Sequence, residues 1–156
     1  MNKFDKIKKG FLCAICVIIL GFETGSVVQA ANTRDTSFYF DVNGGNGWDT
    51  SPRAKDNTSS IYVKINSAPK GKAMCRVLAN VPAAHHYVDC ILGRSRKVVL
   101  STGGSNKGGW FIETNAFESG AREVKLSFSQ TYGGSGSVSG FWSPDSIGRY
   151  PVANKY

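Results

Sequence analysis

The chain has 156 residues, 41% of them hydrophobic and 19% charged, with a formal net charge of +8. That length fits one globular domain rather than two, and the charged fraction excludes a purely solvated, disordered chain. Four Cys are too few for a cystine-dense miniprotein, and two His are too few for a histidine-rich metal centre.

Residues 2–9 hold Lys3, Lys6, Lys8 and Lys9 against one acid, Asp5. Residues 11–22 then run without a charge, and Val28-Gln29-Ala30 follows with the small side chains that a signal peptidase reads. This is the three-part pattern of a secretory signal, with cleavage expected after Ala30. The apolar run falls short of the roughly 20 residues of a membrane span, so an uncleaved anchor is the lesser alternative. Cys13 and Cys16 lie inside the run and not at its end, which argues against lipid attachment. The expected organisation is a signal peptide at 1–30 and one secreted domain at 31–156. That domain keeps 15 Lys+Arg and 9 Asp+Glu, a formal charge of +6.

Beyond residue 30 the sequence reads as strands. Residues 36–42 place Phe38, Phe40 and Val42 on one face, and residues 60–66 place Ile61, Val63 and Ile65 on one face. Residues 74–80 and 87–92 flank two cysteines, and 97–101 is a short apolar run. Residues 109–114 carry Trp110, Phe111 and Ile112. Residues 123–130 alternate Val124, Leu126 and Phe128 with Lys125, Ser127 and Ser129, and 137–142 carry Val138, Phe141 and Trp142. A one-residue slip would invert every face, so the alternation implies one buried side. Residues 115–121 suit a single helical turn. Connectors too short and Gly-rich for crossover helices exclude a βαβ fold. The fold class predicted is all-β, an antiparallel β-sandwich of about seven to eight strands.

Cys75 and Cys90 share the parity of apolar neighbours, so both thiols are expected to face the core. In an oxidising compartment they are expected to form one structural disulfide. Closing a loop of about 15 residues would contribute roughly 3 kcal/mol.

No catalytic constellation stands out in the sequence. Asp41 to Asp49 offers oxygen ligands, but an EF-hand fails at Gly45 and at Pro52, where a Glu is required. Gly103 to Gly109 lacks the Lys-Ser/Thr ending and the helix of a phosphate loop and reads as a hairpin connection. Ser67 and Lys70 have the spacing of a Ser-x-x-Lys nucleophile, yet Pro69 spoils the helix that chemistry needs. His85 and His86 read as a polar hairpin tip, with no nucleophile elbow to serve. Nothing in the spacing of Asp41, Asp49, Glu113, Glu118 and Glu123 selects a carboxylate pair. The expectation is therefore a protein with no catalytic residues, no metal and no cofactor.

Charge is the feature most suggestive of function. Arg94, Arg96 and Lys97 cluster, and Lys70, Lys72 and Arg76 form a second group. A basic exported domain is drawn to anionic cell-wall polymers and lipid head groups by attraction that salt screens. Export disfavours a nucleic-acid partner. Candidate binding residues are Trp48, Tyr62, Arg94, Arg96 and Lys97, with a second secreted protein as the other partner class.

Two stretches carry a resemblance. Asp35-Thr-Ser-Phe38-Tyr-Phe40 opens the domain, and Ser139-Gly140-Phe141-Trp142-Ser143-Pro144-Asp145 closes it. With them the chain resembles small secreted proteins of Gram-positive bacteria that form family 2712 of unknown function, some of which sit beside bacteriocin-type transporters. Ser143-Pro144-Asp145 departs from the paired acids of the family's ending, and the cysteines are not part of the likeness. The resemblance implies secretion and a β fold and transfers no catalytic residue. Three roles follow in order of expectation: an envelope-binding or protein-binding module, a bacteriocin-like toxin or bacteriocin-associated factor, and a small hydrolase.

Overall fold

The structure is a computed structural model, and it describes residues 31–42, 46–93, 96–104, 107–129 and 135–155. The expected signal at 1–30 and candidate Arg94 lie outside the described residues. The regular elements of the described residues are strands and two single 3-10 turns. Eleven strands are present among the described residues: β1 (Thr36–Val42), β2 (Asn46–Asp49), β3 (Arg53–Ala54), β4 (Ile61–Ser67), β5 (Lys72–Val81), β6 (His86–Asp89), β7 (Val98–Ser101), β8 (Gly109–Ile112), β9 (Glu123–Ser129), β10 (Gly136–Ser143) and β11 (Asn154–Lys155).

They form two antiparallel sheets. The first runs β1-β10-β4-β8; the second runs β11-β7-β5-β9-β2, with β6 added to β5 and β3 added to β9. Alternation decides which side each strand buries. In β4, Ile61, Val63 and Ile65 are buried while Tyr62 and Lys64 are only half-buried. In β9, Val124, Leu126 and Phe128 are all 0% exposed. These faces meet in one core, where the Phe38 and Phe128 rings stack at 4.8 Å across the two sheets. Two sheets burying one shared layer is the arrangement of a sandwich. Trp142 is its largest fully buried side chain, and truncating it would cost about 3–5 kcal/mol.

One side of this body is closed by the C-terminal segment. Phe111 N–H donates to Pro151 O at 2.9 Å, and Ala153 N–H donates to Phe111 O at 2.8 Å. The chain then crosses to the other sheet, where β11 pairs with β7. An exposed strand edge is a template for aggregation, and this segment covers that of β8.

Several expectations are corrected. Cys75 and Cys90 are both buried, as their parity implies, but they are free thiols. Leu78 faces Asp89 and Ala79 faces Val88 in the β5–β6 ladder, and Cys90 N–H continues it by donating to Val77 O at 3.1 Å. Cys90 thus sits opposite Val77 and diagonal to Cys75. Diagonal neighbours stand about 7–8 Å apart, beyond the reach of a disulfide. Residues 103–109 do not join a hairpin, because β7 and β8 belong to different sheets. The His85-His86 tip does join one, β5 to β6, with His85 at φ 56. Residues 115–121 form a turn, in which Ser119 N–H donates to Asn115 O at 2.9 Å.

Candidate functional site on the outer faces of the sheets

The two sheets present chemically different outer faces. On the second sheet, burial of Cys75 and Val77 turns Arg76 outward. Arg76 Nε donates to Asp89 Oδ1 at 2.8 Å, and its Nη2 pairs with Asp89 Oδ2. This bond to Asp89 raises the Arg76 pKa, so the guanidinium is firmly charged. Further along the face, Lys125 Nζ pairs with Asp49 Oδ2 at 2.7 Å and lies 4.4 Å from the Tyr87 ring centroid. The Tyr87 hydroxyl donates to Glu123, and burial together with that carboxylate pushes Tyr87 up to about 12.

A pocket of about 350 Å³ opens at one end of this face, lined by Arg76, His86, Tyr87, Val88, Asp89 and Arg96. It joins the two basic groups that are twenty residues apart in the sequence: Arg76 from β5 and exposed Arg96 from the segment before β7. Two guanidinium groups and one carboxylate line it. Lys97, half-buried, follows directly in the chain. An anion entering the pocket meets Arg96 in water and the outer edge of an Arg76 already oriented by Asp89. The Nε and Nη2 groups of Arg76 are taken by Asp89, which leaves its other N–H groups and the guanidinium of Arg96, a group suited to phosphate and carboxylate.

The other candidates lie elsewhere. Tyr62 is on the outer face of the first sheet, where it meets Phe111 (6.3 Å between centroids) and Tyr150 (4.8 Å). Trp48 is half-buried and packs against the core opposite Phe128. The acids do not converge. Asp41 accepts from Tyr39, Asp49 pairs with Lys125, Glu123 accepts from Tyr87, and Glu113 and Glu118 are exposed on the segment that follows β8. Among the described residues no group of three His, Cys, Asp or Glu is placed to hold a metal ion.

One polar cluster was not legible in the sequence. Lys55 Nζ donates to Ser59 O (2.6 Å), Pro144 O (2.8 Å) and Asp145 Oδ1 (2.7 Å), using all three protons. Asp145 Oδ2 accepts from the backbone N–H of Asn32 (2.8 Å) and Asp56 (3.0 Å). Arg53 extends the cluster by donating to Trp142 O, Arg34 O and Asn32 Oδ1. All three Lys55 protons and both Asp145 oxygens have partners within the fold, so the cluster anchors residues 32–34 and the end of β10.

Residues 26–146 match the family model described as Protein of unknown function (DUF2712). No curated protein and no solved structure matches the chain.

Proposed function

The chain belongs to the DUF2712 family of proteins of unknown function, and from that premise we propose that it is an exported, non-enzymatic β domain that attaches to an anionic component of the cell envelope. The observation that carries this reading is the basic pocket in which Arg96 stands beside Arg76 and His86. The polarity of residues 1–30 supports export with cleavage after Ala30, which leaves a domain of charge +6. Outside a Gram-positive cell the abundant polyanions are phosphate-rich wall polymers and acidic lipid head groups. Long-range attraction brings such a domain to either, and Arg96 and Arg76 supply the short-range donors.

The test is cosedimentation with purified cell walls before and after removal of their anionic polymers, and with vesicles of acidic or neutral lipid. The protein pellets with one anionic target, is released by salt, and is weakened by Arg96→Glu combined with Lys97→Glu. Equal pelleting before and after polymer removal, unaffected by salt, would refute the proposal. Clearing of lawns of related strains by the purified protein would favour the bacteriocin-like role.

A further inference from the structure

The first sheet turns a row of aromatic side chains outward. In β1, buried Phe38 and Val42 alternate with Tyr39, which is 64% exposed. In β10, Trp142 points in and Phe141, 39% exposed, points out. Phe141 faces Lys64 of β4, and Tyr62, two residues earlier, faces Phe111 of β8. Tyr150, 42% exposed, then folds over both, 4.8 Å from the Tyr62 ring and 5.4 Å from the Phe111 ring. The rings form a diagonal line over four strands, interleaved with the hydroxyls of Ser37 and Ser139, which face Phe141 and Tyr39 respectively.

At the Tyr62–Tyr150 end the line meets a cavity of about 190 Å³, lined by those two rings and by Thr33, Asp35, Ser146 and Ile147 among others. Asp145 also lines it, but Lys55 neutralises that carboxylate. The remaining charge of the lining is that of Asp35, and no cationic side chain contributes. Such a cavity repels the polyanions that suit Arg76 and Arg96 on the opposite face. Its walls combine rigid rings that stack on apolar C–H faces with hydroxyl and carboxylate groups that bond to alcohols.

We propose that this cavity is a second binding site, for the pyranose ring of an uncharged glycan, with Tyr62 and Tyr150 as the stacking surface. Asp35, Thr33 and Ser146 hold the ring hydroxyls, and the line through Phe141 to Tyr39 takes further sugar units of the chain. The site is independent of the basic pocket, so the two can fail separately.

Titration of the protein with chitohexaose, cellohexaose and maltohexaose, followed by isothermal calorimetry, tests it. At least one of the three binds, its affinity persists in high salt, Tyr150→Ala weakens it at least about tenfold, and Arg96→Glu leaves it unchanged. Tyr150 is exposed enough for this substitution to leave the fold intact, which circular dichroism checks; Asp35→Asn gives a second variant outside the core. Binding that is retained in both variants, or a flat response to all three sugars, overturns the proposal.

Discussion

Lys55 and Asp145 lie ninety positions apart in the sequence and meet at 2.7 Å, with side-chain exposures of 1% and 0%. Burial alone raises the pKa of the Asp145 carboxyl. The Lys55 ammonium and the N–H groups of Asn32 and Asp56 outweigh it and hold the carboxyl below its ordinary value. Breaking one member of such a pair leaves a buried charge without a partner, at a cost of about 3–5 kcal/mol. Lys55→Met and Asp145→Asn are each expected to lower stability by that order in urea unfolding. The double variant Lys55→Met with Asp145→Leu recovers only part of the loss: no charge is stranded, but the N–H groups of Asn32 and Asp56 and the Pro144 carbonyl still lose their partners.

The same pair sets an acid limb. The folded-state carboxyl has a lower pKa than the unfolded one, whose ordinary value is 3.8. Its contribution is therefore complete above the unfolded value and is lost as pH falls through the folded one. The melting temperature should be level with respect to this group above about pH 5 and decline below pH 4. That decline should be shallower in Asp145→Asn, read by thermal scans across pH.

Gly140 is fixed by close approach rather than by backbone twist. The β10–β4 ladder shifts register between Ser139 and Gly140, and a Cβ at Gly140 would sit 1.9 Å from Lys64 O and 2.9 Å from a Phe38 ring carbon. Backbone cannot yield as a side-chain tip can. Gly140→Ala is expected to cost about 3 kcal/mol or more, above the usual range for overpacking, with loss of soluble yield as the first sign.

The thiols give a direct chemical readout. Burial raises both pKa values, that of Cys90 to about 12. The chain from Ala31 onward should resist alkylation at neutral pH when native, and unfolded in urea without reductant it should take up two labels, on Cys75 and Cys90. Intact-mass spectrometry distinguishes two labels from the none that a disulfide would give.

Much of the fold was legible in the sequence, for a physical reason. The long strands β1, β4, β5, β9 and β10 have alternating faces, and alternation is imposed by burial of one side. β2, β3 and β11 are two to four residues long, too short to show a period, and Asn46-Gly-Trp-Asp49 resembles a turn. The inward direction of Cys75 and Cys90 was readable from parity, but their pairing depended on register, which parity leaves open by steps of two. For the candidate site, Arg96 and Lys97 stood out as a charge run. Their juxtaposition with Arg76 depended on β5 lying beside β6 and β7, a long-range fact. Trp48 looked like a displayed aromatic because nothing local marks its packing opposite Phe128. Lys55 and Asp145 gave no local signal, since each is an ordinary surface residue until the fold buries it.

Export and attachment to the envelope are the centre of this account, and intact-mass analysis of fractionated cells tests them most directly. Medium and wall fractions of a producing cell should contain a chain beginning at Ala31, with the wall-held part released by salt. Recovery of the uncleaved 156-residue chain in the cytosol, with none outside, would contradict it.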